Sequence, residues 1–452
     1  MTVSTARNRQ ARSPTIATTL SFLWPGLGQW YMGHSRAAVI LAVPIGVAII
    51  GLLVWLSAGM ESAVVDLIIG PTAALVAVAI IVAGLWRLAA MCHAAWLGGG
   101  TAAFRRPATA LTFALLASVV ALTHLWAASV SWSLYLGAER VFAAGKPPIV
   151  APSGSSPSPT SLFGAVPPVA TPKSPESRIN ILLTGIDSGQ NRHTALTDTL
   201  IVASIDPVSG AVALISFPRD IARFPTPDGG TFQGKINSLM TYANDHPKEY
   251  PQGGLATLVD ELGYLLGAPV NYFAAVDLDG FGRLIDAVGG VTVNNPRAIN
   301  DPTYDWNDGH RGFHLSAGIH KLDGKTALAY ARSRKGVGDS DFTRARRQQQ
   351  ILLALRQRVT DPTLLPQLPS IISVASETLS TNFPRERIQE MLGLAGTVEG
   401  DDSIQRFVLG PPYARNPPPG TPGGYQLILD KDRLARLSIE LFGDQSRYAA
   451  SH

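Results

Sequence analysis

Cysteine occurs once among the 452 residues, at Cys92, which rules out an intrachain disulfide and any metal centre built on several thiolates. Charge is scarce too: Asp, Glu, Lys and Arg make up 15% of the chain, and the net charge is only +4. The basic residues are gathered locally rather than spread over one broad face, which argues against a nucleic-acid partner. The deficit of charge falls mainly in the first third of the chain. Its length allows more than one domain and a sizeable core.

Three charge-poor apolar runs, Ala37–Gly59, Leu67–Trp86 and Ala108–Ala138, are each long enough to cross a hydrocarbon layer about 30 Å thick as a helix. They predict a helical membrane anchor over residues 1–144 with three spans. Arg7, Arg9, Arg12 and Arg36 precede the first run, and Arg87, Arg105 and Arg106 follow the second, so the positive-inside rule puts the N-terminus in the cytoplasm and everything after Ala138 outside. Several spans with no small-residue cleavage site before them argue against a cleavable signal peptide. The segment Ile16–Gly33 is apolar but broken by Pro25, Gly26 and Gly28, which favours an interfacial or re-entrant piece; a fourth span there would move the N-terminus outside. His124 lies within the third run without a carboxylate partner in the neighbouring runs, as a packing or helix-linking residue does.

Residues 145–178 are rich in Pro and Ser and carry neither a helical nor a strand period, so an extended linker is expected, with a reach on the order of 100 Å. From 179 to 445 the pattern changes to alternating strands and helices, which argues for a layered α/β domain. Ile179–Gly185, Thr199–Ile205 and Ala211–Phe217 are strand-like, the last two joined by Asp206-Pro207-Val208-Ser209-Gly210 as a hairpin. Asn300–Gly318 is expected to be a loop or lid, and Ser376–Leu392 a helix.

The hairpin places Asp198 just before its first strand and Asp220 just after its second, so antiparallel pairing brings the two carboxylates to one end of the sheet beside Arg219. Two carboxylates so placed suit a hard divalent ion such as Mg2+ that also takes phosphate oxygens, although a turn residue and a local ion pair would produce the same spacing. Downstream, Arg332, Arg334, Lys335, Arg344, Arg346 and Arg347 flank one short loop. Arg344, Arg347 and Gln348 share a helical face at i, i+3 and i+4. Guanidinium groups keep their charge and present forked donors, which suits a pyrophosphate. The plainer alternative is a set of solvated salt bridges, with Asp341 as an N-cap for Thr343 or Arg344 and Lys235 as a surface cation.

The segments INILLTGIDS, LTDTLIVASIDPVSGAVALISFPRD, KIN, DLDGFGRLIDAVGGVTV and LDGKTALAYARSRKGVGDSDFTRARRQQQILLAL resemble, in order, the LytR-CpsA-Psr family of cell-envelope proteins over residues 179–445. The resemblance implies a three-layer α/β/α sandwich with a mixed central sheet, preceded by a transmembrane anchor. It implies a phosphotransferase that moves a glycopolymer from a polyprenyl-pyrophosphate carrier to peptidoglycan outside the membrane. Asp198 and Asp220 would then hold Mg2+; Arg219, Arg332, Arg334, Arg344 and Gln348 would contact the diphosphate or its surroundings, and Asp341 would orient them. Lys235 and Arg347 complete the expected substrate contacts. The chain departs from the family pattern at Leu196 and Gly189, where charged residues are usual, with Arg192 as a substitute for the first. A polyprenyl-pyrophosphate pyrophosphatase would need the same clamp and metal, and a non-enzymatic membrane-bound regulator is the third reading.

Overall fold

The computed structural model describes residues 12–59, 63, 66–67, 71–141, 177–187, 196–306, 308–336, 338–359, 361–388, 390–391, 404–418, 420–422 and 424–449. The linker reading falls almost wholly outside them, as do Arg192 and Gly189. The chain divides into two compact units, Met1–Leu136 and Gly137–His452.

In the first unit, α1 (Pro14–Leu23) and α2 (Leu27–Tyr31) are followed by α3 (Ser35–Ser57), α4 (Thr72–Leu97) and α5 (Pro107–Val141). The last three are long and apolar enough to cross a membrane. The second lies five residues later than its apolar run predicts and carries on through Arg87 to Leu97. Ile16–Gly33 is a broken helix pair whose halves pack closely, since an added Cβ at Gly28 of α2 would sit 2.1 Å from the Ala17 carbonyl oxygen of α1, and both rest on α4. The buried Gln29 amide donates to the Ala90 carbonyl at 2.7 Å, and Arg87 donates to the Phe22 carbonyl at 2.7 Å. His124 bonds through Nδ1 to the Val120 carbonyl of its own helix at 2.8 Å and packs on Gly84, which fits a packing role.

The second unit is built on a six-stranded mixed sheet. Its strands are β1 (Ile179–Asp187), β2 (Leu196–Ile205), β3 (Val212–Ser216), β6 (Tyr272–Asp277), β11 (Leu379–Thr381) and β12 (Ile404–Val408), in the order β11-β6-β1-β2-β3-β12. The β1–β6 and β3–β12 pairs are parallel and the others antiparallel. Alternate residues of the central strands feed two cores. Leu200, Val202, Ala213 and Ile215 pack with α6 (Ile236–Asp245), α7 (Gly254–Leu266) and α12 (Lys431–Phe442). Ile201, Ala203 and Leu214 face Leu353 of α10 (Asp341–Val359). Beside α10, α8 (Leu278–Ala287), α9 (Gly324–Arg332) and the paired strands β7 (Val291–Asn295) and β10 (Gly318–Leu322) enclose a further core. The result is the three-layer α/β/α architecture implied by the family resemblance. One amide ties α10 to the sheet: Gln349, 1% exposed, donates to Ser216 Oγ at 2.8 Å and to the Phe407 carbonyl at 3.0 Å.

Two expectations are corrected. Asn300–Gly318 is largely an antiparallel pair, β8 (Ile299–Asp305) and β9 (Arg311–Leu315), rather than a loop. Its aromatic residues Tyr304, Trp306 and Phe313 pack together and supply apolar burial that alternation alone does not reveal. The helix expected over Ser376–Leu392 is α11 (Leu368–Thr378), which ends where Leu379–Thr381 pairs with β6 as the sheet edge.

Glu261 on α7 is 2% exposed, and its Oε1 has no hydrogen-bond partner among the described residues. Burial, with Asp228 and Asp260 nearby and only Arg447 opposing, pushes its pKa up to about 8. From about pH 4.3 upward the unfolded chain ionises this carboxyl while the fold keeps it protonated, so stability falls as the pH rises towards 8. Thermal unfolding of the full chain in detergent should therefore show a loss of a few kcal/mol between pH 5 and pH 8, at about 1.4 kcal/mol per pKa unit. Glu261→Gln should remove most of that slope; an unchanged slope would contradict the assignment.

Candidate functional site

The hairpin register brings the first half of the site together. Ile201 pairs with Ser216, and Phe217 N–H donates to the Leu200 carbonyl at 2.9 Å, so Asp198 lies beside the chain that leaves β3. Pro218 has no N–H to continue the ladder, and Arg219 and Asp220 turn across the end of the sheet. Next, β4 (Ala222–Pro225) and β5 (Thr231–Lys235) pair with Ala222 opposite Lys235, which returns the lysine to Asp220. Lys235 Nζ lies 2.5 Å from Asp220 Oδ1. This lysine is an ion-pair partner of a buried carboxylate and not a solvated surface cation.

Helix α10 brings the second half. Asp341 is its first residue rather than its cap: Ser340 Oγ accepts from Thr343 N–H at 3.2 Å, and the Ser340 carbonyl accepts from Arg344 N–H at 3.1 Å. The Asp341 carboxylate instead meets Arg344 Nη2 at 3.0 Å. Arg219 connects the halves, with Nη1 donating to Asp198 Oδ1 at 2.8 Å and Nε lying 3.6 Å from Asp220 and 3.9 Å from Asp341. Three carboxylates thus surround one guanidinium. Among the described residues Arg219 Nε makes no hydrogen bond, and Asp341 Oδ1 meets Arg344 only as an ion pair, which leaves bonding capacity at the centre of the cluster.

Burial governs the electrostatics. It pushes the Asp341 pKa up despite Arg344, and the Asp220 charge adds to the rise. It pulls the Arg344 pKa down against the attraction of Asp341. For Arg219 the effect of burial is outweighed by the charge and hydrogen bond of Asp198, and its pKa rises. Tyr425 stands at the same cluster, with its pKa raised by burial and then by the charges of Asp341 and Asp220. Sequence reasoning missed it, because a tyrosine after a Pro/Gly loop carries no local signal; Leu427 N–H donating to the Asp220 carbonyl at 2.9 Å holds that segment in place.

Beside the cluster an apolar cavity of about 170 Å3 lies between the sheet and α8, α9 and α10. Leu183, Val276, Leu284, Leu328, Ile351 and Leu355 give it a greasy wall. Asp198, Arg332 and Gln348 also line it, so the site presents an apolar interior with charged groups from both halves. Arg334 is exposed on the loop after α9. The backbone of that loop is fixed by Asp301, whose Oδ2 accepts from Ser333 Oγ at 3.0 Å, Arg334 N–H at 3.2 Å and Lys335 N–H at 3.1 Å. Burial would raise the Asp301 pKa, but these bonds and those from Thr303 outweigh it and lower it. Asp301 likewise carries no site signal in the sequence, since Asn300–Gly318 reads as a loop or lid.

Arg347 departs from the shared face expected of it. It donates to the Ser333 carbonyl, lies 3.3 Å from Asp339 and sits over the Tyr330 ring at 5.6 Å. These contacts buttress the base of the loop; Arg344 and Gln348 face the cluster and the cavity.

The LytR_cpsA_psr family model matches residues 159–411, more than half of the chain. The chain belongs to the LytR_cpsA_psr family. Among curated relatives, the polyisoprenyl-teichoic acid–peptidoglycan teichoic acid transferase TagU of Halalkalibacterium halodurans is 28% identical over 277 residues, which is 60% of this chain and 81% of TagU. The corresponding TagV of Bacillus subtilis is 32% identical over 222 residues, 49% of this chain and 53% of TagV. The chain therefore spans about half the length of that second relative. The crystal structure of B. subtilis TagV matches with 28% identity and a TM-score of 0.46, covering 59% of this chain and 96% of TagV's. A structure of TagT bound to LI-WTA matches at 24% identity and a TM-score of 0.43, covering 60% of this chain and 92% of the other.

Proposed function

We propose that the chain is a membrane-anchored phosphotransferase that moves a glycopolymer from a polyprenyl-pyrophosphate carrier to peptidoglycan. The observation that carries this reading is the cavity, an apolar interior sharing Asp198, Arg332 and Gln348 with a buried cluster of guanidinium and carboxylate groups. A ligand with a long hydrocarbon tail and a diphosphate head has this polarity, and the relatives named as teichoic acid transferases carry polyisoprenyl substrates in their names. The three apolar helices would anchor the chain, with the N-terminus cytoplasmic and the C-terminal unit outside, as the arginines around the first two spans favour.

In the proposed reaction a peptidoglycan hydroxyl attacks the phosphorus nearer the glycan. The bond from that phosphorus to the bridging oxygen breaks, polyprenyl phosphate leaves, and the glycan remains joined through a phosphodiester. Arg344, Arg219 and Arg332 stabilise charge that grows on the phosphoryl oxygens and the departing phosphate. Arg334, exposed beside them, meets the head group from the solvent side. Asp341, with its raised pKa, suits the role of accepting the hydroxyl proton.

No group of three or more His, Cys, Asp or Glu side chains arranged to hold a metal occurs among the described residues. Mg2+ needs only one or two carboxylates where phosphate oxygens complete its shell, and Asp198 and Asp220, which both approach Arg219, at 2.8 and 3.6 Å, are the pair that would hold it. When bound, Mg2+ would add positive charge at the diphosphate. Lys235 pairs with Asp220 and offsets its charge.

The test is a transfer assay on the full chain with labelled lipid-linked glycan, with and without peptidoglycan and with and without a chelator. Label should enter peptidoglycan and polyprenyl phosphate should be released, both dependent on acceptor and on divalent metal. Release of free glycan phosphate irrespective of acceptor would establish hydrolysis instead, and no turnover with tight lipid retention would favour a regulatory protein.

A further inference from the structure

The face of α10 that turns away from the cavity lines a second feature. Gln348, Ile351, Leu352 and Leu355 border the apolar cavity, whereas Arg346, Gln350, Leu353 and Gln357, at i, i+4, i+7 and i+11, border an open groove. The groove runs between β7 and the edge strand β12. It consists of three depressions of about 450, 520 and 270 Å3. The first two share Arg346 and Gln350, and the last two share Gln350 and Arg406, so they are continuous.

Its chemistry is one-sided. Arg297, Arg346 and Arg406 are exposed along it. Among the described residues the only carboxylate in its lining is Asp339, already paired with Arg347. Neither Arg346 nor Arg406 has an ion-pair partner among the described residues. The amides between them are oriented: Gln350 accepts from Tyr330 OH at 2.7 Å and donates to the Asn294 carbonyl at 2.5 Å. Among the described residues no aromatic side chain lines any of the three depressions. Sugar-binding grooves that read uncharged rings commonly offer an aromatic platform, whereas unpaired guanidinium groups select phosphates. One end of the groove abuts the loop that follows Arg332 and carries Arg334, because Arg347 and Asp339 line the groove and Arg347 also holds the Ser333 carbonyl.

We propose that this groove holds the phosphate-bearing chain of the transferred glycopolymer where it extends beyond the diphosphate, with Arg297, Arg346 and Arg406 gripping successive phosphates. The inference rests on the transferase reading and extends it. It gives α10 two jobs on two faces, one towards the lipid carrier and one towards the polymer. The groove discriminates by charge along the chain, so a neutral glycan binds there poorly.

The test uses the full chain in detergent micelles and reads binding, not turnover. The probes are lipid-free poly(glycerol phosphate), neutral dextran, soluble peptidoglycan strands and farnesyl pyrophosphate. The wild-type chain should bind poly(glycerol phosphate) in preference to dextran, more weakly as salt is raised. The exposed double variant Arg346→Glu/Arg406→Glu should lose roughly tenfold or more of that affinity, with Arg346→Gln/Arg406→Gln intermediate and farnesyl pyrophosphate binding unchanged in both. Unchanged poly(glycerol phosphate) affinity in the charge-reversed chain would overturn the proposal, as would a loss confined to peptidoglycan strands, which would assign the groove to the acceptor. Failure of the wild-type chain to bind farnesyl pyrophosphate would count against the transferase reading instead, and the polymer result would still decide the groove.

Discussion

Arg344→Ala is expected to lower transfer roughly 10³-fold while leaving the protein folded, because this guanidinium is a preorganised charge beside the proposed diphosphate position. Arg344 is 5% exposed and its removal strips Asp341 of its nearest cation. Loss of one partner of a buried pair commonly costs about 3–5 kcal/mol when the remaining charge is trapped. Asp341 has an escape: burial already holds its pKa up, so it takes a proton and the cost shrinks. The double variant Arg344→Ala/Asp341→Asn should therefore be at least as stable as Arg344→Ala, yet remain as inactive. Thermal unfolding and the transfer assay, run side by side, separate the two roles. Substantial transfer by the single variant would remove Arg344 from the reaction.

Ala274→Phe should abolish retention of the lipid carrier. Ala274 lies on the central strand β6 and lines the apolar cavity, so a phenyl ring there enters empty space instead of packed core. Overpacking a filled core destabilises, but filling a cavity does not. Stability should be unchanged or slightly higher, while lipid co-purified with the protein, measured by mass spectrometry, should fall at least roughly tenfold because the tail competes with the ring for one volume. Lipid retained at the wild-type level would place the tail elsewhere. Transfer should fall in parallel, whereas binding of a short water-soluble diphosphate should persist, since the charged cluster is untouched.

Elements whose signal is local are legible in the chain before any folding is considered. The Asp206–Gly210 turn fixes the β2–β3 hairpin, with Val208 and Ser209 N–H bonding to the Asp206 carboxylate at 2.9 and 3.2 Å. Uncharged length determined the three long apolar helices, and the hairpin's antiparallel register put Asp198 next to Arg219 and Asp220. Helical period placed Arg344 and Gln348 on one side of α10. The motifs were specific enough to carry the family.

The tertiary structure decided everything that depends on which face meets which neighbour. Arg347 shares the helical spacing of Arg344, yet Asp339 and Tyr330 claim it, because a long side chain goes to the nearest partner that compensates its buried charge. Asp301 reaches the site from a segment that reads as a lid and Tyr425 from the stretch after a Pro/Gly loop, and chain folding at long range is what brings them in. Lys235 reads in the sequence as a substrate contact or a solvated cation, and only β4–β5 pairing lays it on Asp220. The division of α10 into a cavity face and a groove face is likewise invisible in the string Arg344–Gln350. Polar residues surround the helix there, and only the sheet on one side and β7 on the other determine what each of them meets.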